Sequence, residues 1–255
     1  IDKNFELNST LISNECDIAL FYFPISKFKV SKVKYKTIFM TNTFNKIYSN
    51  ADVVISDQES QQKFKYNDNF YIGFKYKIFQ HNNYKYILKK KIDSCLICIG
   101  GTDKNNLIIK IIKLLVKLKS NINFFVFVRS SNMNKKSRDY LNNFNTVNFK
   151  VIYDKIHLMH DIKKVDIGIV SGGNILLQMC NANIPTLAIP QDNIEKKNIR
   201  WLSSKNCTSL LNINKKNFNL QKFESIFQDF CSNMNLRSDI HKSCKSLFKK
   251  KFTLS

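Results

Sequence analysis

Glycine is scarce in this sequence, with six among 255 residues, and four of the six form two adjacent pairs. Gly100-Gly101 runs into Thr102-Asp103, and Ser171-Gly172-Gly173 runs into Asn174. Glycine lets backbone approach a ligand closely. Where a pair ends a strand and opens a helix, the free N–H groups of the first turn and the helix dipole attract a phosphate or pyrophosphate. Gln178 stands one turn after Asn174 on the same helical face, within reach of a ribose hydroxyl. Gly-Gly also suits a plain tight turn, but two pairs at equivalent ends of one sheet favour the anion-binding reading. Two of the three prolines, Pro185 and Pro190, follow directly after the second pair, so unusual backbone concentrates there.

Other chemistries are poorly supplied. There is no G-x-x-x-x-G-K-[ST], no G-x-G-x-x-G and no G-x-S-x-G. No carboxylate pair is set up for acid–base work. The seven cysteines (Cys16, Cys95, Cys98, Cys180, Cys207, Cys231, Cys244) are odd in number and scattered, which argues against a disulfide scaffold and for a reducing, cytoplasmic compartment. Cys95 and Cys98 have C-x-x-C spacing inside an apolar run, with no second pair at zinc spacing; they read as buried apolar cysteines. His157 and His160 make a lone H-x-x-H and read as structural or surface residues. No metal site is expected.

Composition frames these residues. The net charge is +22, yet only Arg129, Arg138, Arg200 and Arg237 are arginines against 37 lysines. Arginine is the residue that reads base edges and grips phosphates in bidentate fashion. A lysine excess with abundant Asn, Ile and Phe reads as drift toward AT-rich codons, so no specific nucleic-acid partner is expected. A weak membrane-surface affinity would follow passively from the charge. A hydrophobic content of 44% excludes wholesale disorder. No apolar run approaches the roughly 18 residues of a membrane-spanning helix, and the N-terminus has no signal-peptide pattern.

The elements that must position the glycines follow from periodicity. Ser94–Ile99, Asn123–Val128, Asn148–Tyr153, Asp166–Val170, Thr186–Ile189 and Thr208–Leu211 read as strands, the first nearly all apolar, as a strand buried on both faces requires. Helices are expected at Asn106–Lys119, with Lys110, Lys113 and Lys117 on its polar stripe, around Met133–Asn142, at His157–Lys164, Asn174–Ala182 and Asn193–Ser204, and at about Leu220–Ser232 and Ser238–Lys250. Alternating strands and helices with short links specify a doubly wound parallel sheet. Ligands bind such sheets beyond the carboxyl ends of the strands, where both glycine pairs fall. Cys16–Phe23, Tyr35–Met40 and Ala51–Ile55 read as three further strands, and Phe70–Phe74 as an extended stretch with a turn. The fold class is therefore α/β: a partial N-terminal α/β domain over 1–85 and a complete Rossmann-like domain over 86–255.

Ile99–Leu107 (IGGTDKNNL) resembles the GG-S/T-D-P-x-N-L loop of the PseG/SpsG nucleotide-sugar hydrolases. Asp166–Thr186 (DIGIVSGGNILLQMCNANIPT) and Ala188–Asn193 (AIPQDN) are similar to that family's later segments, and Ala51–Asp57 and Tyr71–Tyr76 to earlier ones. The resemblance implies the two-Rossmann GT-B architecture shared with MurG-like glycosyltransferases, and a UDP-sugar site on the C-terminal domain. Gly172, Gly173 and Asn174 would hold the diphosphate, and Gln178 takes the position of a ribose-binding Glu. Backbone near Leu158 would meet the uracil, Gly101 and Thr102 would face the cleft, and Asn193 would join the substrate-binding set. The implied reaction releases UDP from a UDP-linked deoxy-amino sugar in pseudaminic (nonulosonic) acid or surface-glycan synthesis, without a cofactor. In the family, a histidine in an N-terminal G-x-G-H-x-x-R activates water. This sequence has no such motif, and His81, His157, His160 and His241 all stand elsewhere, so the catalytic residue is unassigned. The chain begins at Ile1, and the expectation is either that roughly 60–80 residues of a normal domain precede it or that it is a truncated relative. A MurG-like glycosyltransferase and a non-catalytic nucleotide-sugar binder are the alternatives. The oligomeric state is left open.

Overall fold

The structure, a computed structural model, describes residues 17–22, 36–41, 51–56, 68–77, 79, 86–100, 103, 106–133, 135–144, 147–154, 162–211 and 220–249. Gly101, Thr102, Leu158, His81, His157, His160 and most of the helix expected over His157–Lys164 lie outside the described residues. The chain divides into two compact units, Ile1–Ile78 and Phe79–Ser255.

The first unit holds β1 (Ile18–Tyr22), β2 (Lys36–Thr41), β3 (Val53–Ser56) and β4 (Phe70–Ile72), all parallel in the order β1-β2-β3-β4. Phe21 stacks on Phe39 with ring centroids 4.7 Å apart. Asp52 ties the start of β2 to the start of β3: its carboxylate accepts hydrogen bonds from Thr37 N at 2.8 Å and Lys36 Nζ at 3.0 Å. These bonds, that from the Thr37 backbone foremost, hold the Asp52 carboxyl below its usual range. The stretch at Phe70 is a strand in its own right, anchored where Gly73 N donates to Ser56 O at 2.8 Å.

The second unit holds β5 (Ser94–Cys98), β6 (Asn123–Val128), β7 (Phe149–Tyr153), β8 (Ile167–Ser171), β9 (Thr186–Ile189) and β10 (Ser209–Leu210). The sheet order is β7-β6-β5-β8-β9-β10 and every pairing is parallel. The chain thus enters at the centre on β5, winds outward to β7, then returns to lay β8 beside β5. That reversal is the topological switch point, where a Rossmann-like sheet opens a crevice for its ligand. The helices are α1 (Leu107–Lys117), α2 (Lys135–Asn142), α3 (Asn174–Asn181), α4 (Asn193–Ser204), α5 (Leu220–Ser232) and α6 (Met234–Lys249). Helix α1 buries Leu107, Ile108, Ile111, Ile112, Leu114 and Leu115 and leaves Lys110, Lys113 and Lys117 exposed, as its period predicts. Helix α6 begins four residues earlier than the expected Ser238, because Asn233 Oδ1 accepts from Leu236 N at 3.0 Å and caps it there.

Two buried charges fix the frame from below. Asp166, 4% exposed at the foot of β8, accepts from Asp93 N at 2.9 Å, Ser94 N at 3.0 Å and Ser94 Oγ at 3.0 Å. Lys89 Nζ pairs with its other oxygen at 3.0 Å; this contact raises the Lys89 pKa. The feet of β5 and β8 are thereby locked together. Arg237, fully buried, donates to the carbonyls of Phe230 at 2.8 Å, Cys231 at 2.6 Å and Lys90 at 2.7 Å. It closes the C-terminal end of α5 and pins the segment entering β5.

Candidate functional site

A cleft of about 400 Å³ opens at the carboxyl ends of β5, β6, β7 and β8. Cys98 and Gly100 reach it from β5, Phe127, Val128 and Arg129 from β6, Asp154 from β7, and Ser171 and Gly173 from β8. Asn174, Ile175 and Gln178 line it from α3, and Glu195 from α4. The register sets this meeting: Cys98 pairs with Val170 across the central strands, so Gly100 and the Ser171–Gly173 turn leave the sheet side by side. A Cβ on Gly100 would lie 3.0 Å from Ser171 Oγ. Gly100 also has φ +77°, a conformation that side chains other than glycine's resist.

The two strand–helix junctions are chemically unlike. After the first glycine pair, the Asp103 carboxylate accepts from Leu107 N at 2.8 Å and from Ile108 N at 2.9 Å. The start of α1 therefore carries its own anion. After the second pair, α3 starts from Gly173, which has no side chain to cap it. Its first turn faces the cleft through Gly173, Asn174 and Ile175. Beside it Gln191 Oε1 is buried with no hydrogen-bond partner among the described residues, and the Ser171 hydroxyl faces the Glu195 carboxylate and helps to hold its pKa down against burial. Gln191 is held in place because its Nε2 donates to Ile99 O at 2.8 Å. Buried polar atoms of this kind are uncommon and ask for a partner.

Glu195 completes this wall. Asp192 caps α4 by accepting from Glu195 N at 2.9 Å, and Glu195 Oε2 accepts in return from Gln191 N at 2.7 Å. This is a capping-box arrangement displaced by one residue. The remaining oxygen, Oε1, lies 3.2 Å from where a Cβ on Gly173 would stand. Burial, and secondarily the neighbouring Asp192 charge, raise the Glu195 pKa against the opposing Gln191 N–H.

On the far wall, Asp154 accepts from Ser130 N at 2.9 Å and from Ser130 Oγ. The Ser130 bonds, helped by Arg129 and Arg138, hold its carboxyl below the usual carboxylate range. Arg138 Nη2 donates to Ser130 O at 2.6 Å. Burial pushes the Cys95 and Cys98 thiols up, so neither is a ready thiolate. Among the described residues, no group of three or more His, Cys, Asp or Glu could hold a metal.

The structure brings Gly173, Asn174 and Gln178 to the cleft. Gly172 sits behind it: a Cβ there would stand 2.7 Å from Glu195 O and 2.8 Å from Ile199, so this glycine lets α4 close on the β8 turn. Asn193 is exposed on the first turn of α4 and does not line the cleft. Gly101, Thr102 and Leu158 lie outside the described residues. Arg129, Ser171, Asp154, Gln191 and Glu195 are additions from the structure. Only the Asp192–Glu195 spacing, three residues apart before a helical run, signalled any of them in sequence.

The chain matches no protein-family model and no curated protein. Solved structures do share its fold. They include Acinetobacter baumannii MurG, 12% identical with a TM-score of 0.61 over 84% of this chain and 62% of that one. TarM is 14% identical with a TM-score of 0.61 over 92% and 52%. The spinosyn rhamnosyltransferase SpnG, solved with thymidine diphosphate, is 11% identical with a TM-score of 0.56 over 85% and 63%. The fold is therefore Rossmann-like α/β of the GT-B glycosyltransferase type. The chain spans 52–63% of the length of these three proteins.

Proposed function

We propose that the Phe79–Ser255 unit binds the diphosphate of a nucleotide-sugar at the β8–α3 junction, and that the protein cleaves the sugar–diphosphate bond. The observation that carries this reading is the contrast at the switch point. Of the two helix starts, α1 is capped by its own Asp103 carboxylate, whereas α3 begins at a glycine with no side chain to cap it and faces a half-buried Glu195 carboxylate, held there by Ser171 and Gly172, in the place a phosphate would take. A diphosphate on Gly173 and Asn174 would meet the backbone of the first turn and the positive end of α3. Gln178 would lie one turn along the ligand as a neutral hydrogen-bonding group.

In the leading reading the bond is cleaved by water, as the resemblance to the PseG/SpsG hydrolases implies for a UDP-linked deoxy-amino sugar. Water adds to the anomeric carbon, the C1–O bond breaks and UDP leaves. The second reading is transfer to an acceptor hydroxyl, favoured by the fold shared with MurG, TarM and SpnG. Incubation with a UDP-sugar separates the two. UDP released without acceptor supports hydrolysis. Release only with an added acceptor supports transfer. UDP binding with no turnover under either condition leaves a nucleotide-sugar-binding protein and overturns the enzymatic reading.

A further inference from the structure

Glu195 is pinned at the start of α3 by several bonds. Its N–H donates to Asp192 Oδ1 at 2.9 Å, and its Oε2 accepts from Gln191 N at 2.7 Å. Ser171 and the Gly172 backbone also bond to the carboxylate. Its Oε1 stands 3.2 Å from the place of a Cβ on Gly173. The carboxyl group leaves this position only by giving up those bonds, so a diphosphate seated on Gly173 and Asn174 has it as a neighbour.

Like charges in contact do not both stay ionised; one of them takes up a proton. Glu195 is the group placed to do so. Among the described residues, the other ionisable side chains of the cleft are Arg129 and Asp154 on its far wall and Cys98 on β5. The Ser130 bonds keep Asp154 ionised, and burial keeps Cys98 a thiol. Strand β8 and helix α3 bring no ionisable side chain to the cleft. Burial, and after it the charge of Asp192 on the same helix, already favour the protonated form of Glu195. Bond cleavage adds its own demand. When the bond from the anomeric carbon breaks, its electron pair stays on a diphosphate oxygen, and a carboxylic acid beside the diphosphate can meet that charge with a proton.

We propose that Glu195 is the general acid of this site: protonated in the substrate complex, it donates a hydrogen bond to the diphosphate and then its proton to the oxygen that parts from the anomeric carbon. This rests on the diphosphate site and the bond cleavage proposed above. In the hydrolytic reading, water forms the new bond to the anomeric carbon and loses a proton to solvent. The old C1–O pair goes to the diphosphate oxygen, which takes the Glu195 proton. Glu195 is left as a carboxylate beside UDP, repels it, and regains a proton from solvent once UDP has gone.

The test compares the wild type with Glu195→Gln, which keeps an acceptor for Gln191 N but has no acidic proton. The probes are UDP, UDP-N-acetylglucosamine and a UDP-linked deoxy-amino sugar. Calorimetric titration of UDP at pH 7 in two buffers of unlike ionisation enthalpy should show more proton uptake by the wild type than by the variant. UDP release from the sugars should fall at least about a hundredfold in kcat for Glu195→Gln, with KM no higher than the wild type's. The wild-type kcat should fall as pH rises through the Glu195 pKa, and the residual rate of the variant should lack that limb. Equal proton uptake by the two proteins, kcat kept within about threefold, or kcat and UDP affinity lost together would overturn the acid role. If the wild type does not bind UDP, the diphosphate site is wrong. If it binds UDP but releases none from either sugar, with or without an acceptor, the cleavage reading fails and the acid role falls with it.

Discussion

The second carboxylate oxygen of Glu195 stands beside the Gly173 end of α3, where an incoming phosphate would compete with it. The resting site thus holds its own weak anion, half-buried, with a pKa above the ordinary 4.5. The sign follows directly. A carboxyl whose pKa is raised on folding favours its protonated form in the native state, so its share of stability falls as pH rises from the ordinary value through the raised one. A bound diphosphate would raise that pKa further, so Glu195 opposes binding more as it ionises. The phosphate's own titration runs the other way, which makes the ratio of two proteins the clean readout. Glu195→Gln keeps an acceptor for Gln191 N and removes the charge. Its advantage over the wild type in UDP affinity should grow as pH rises and the wild-type carboxyl ionises, reaching about tenfold at pH 8, the scale of one charged contact. A ratio independent of pH in calorimetry would contradict this electrostatic role.

At the scale of elements, the site stands on the lock between the feet of β5 and β8. Asp166 satisfies Asp93 N, Ser94 N and Ser94 Oγ at once. Asp166→Ala leaves buried donors unpaired and should cost about 3 kcal/mol. Urea unfolding measures this, with exposed Asp229→Ala as a control expected to stay within about 0.5 kcal/mol. A loss no larger than the control's would mean that the strand feet are held by packing alone. The strands themselves were legible in sequence because β5 and β8 are buried on both faces and read as apolar runs. Asn123–Val128 and Thr186–Ile189 match their expected bounds residue for residue. The early start of α6 was missed because Asn233 caps it, a local bond that hydrophobic period does not register. The junction glycines were legible through their scarcity. Glu195, Arg129 and Asp154 were not, since each reaches the cleft from a different strand or helix and nothing in chain order joins them. Nor could sequence spacing tell which helix start is capped from its own loop: Asp103 stands three residues after Gly100 but takes the N–H groups of Leu107 and Ile108.

For the molecule as a whole, the +22 charge is a background field, supplied mainly by 37 lysines, three of which form the exposed stripe of α1. Such a field draws any polyanion and is screened by salt. It gives no reason for a diphosphate to prefer one junction over another. Local structure must supply that preference, and the account places it at the Gly173 start of α3. Gly173 tests this because its backbone, at φ −91° and ψ −150°, is open to other residues, so substitution there changes charge and space more than conformation. The most direct measurement is UDP binding to the wild type and to Gly173→Asp by calorimetry at fixed ionic strength, with thermal melting to confirm that both are folded. The account predicts saturable binding to the wild type and a loss of at least about a hundredfold in the variant, where a carboxylate would fill the phosphate position. Equal affinity for UDP in the two folded proteins would contradict it.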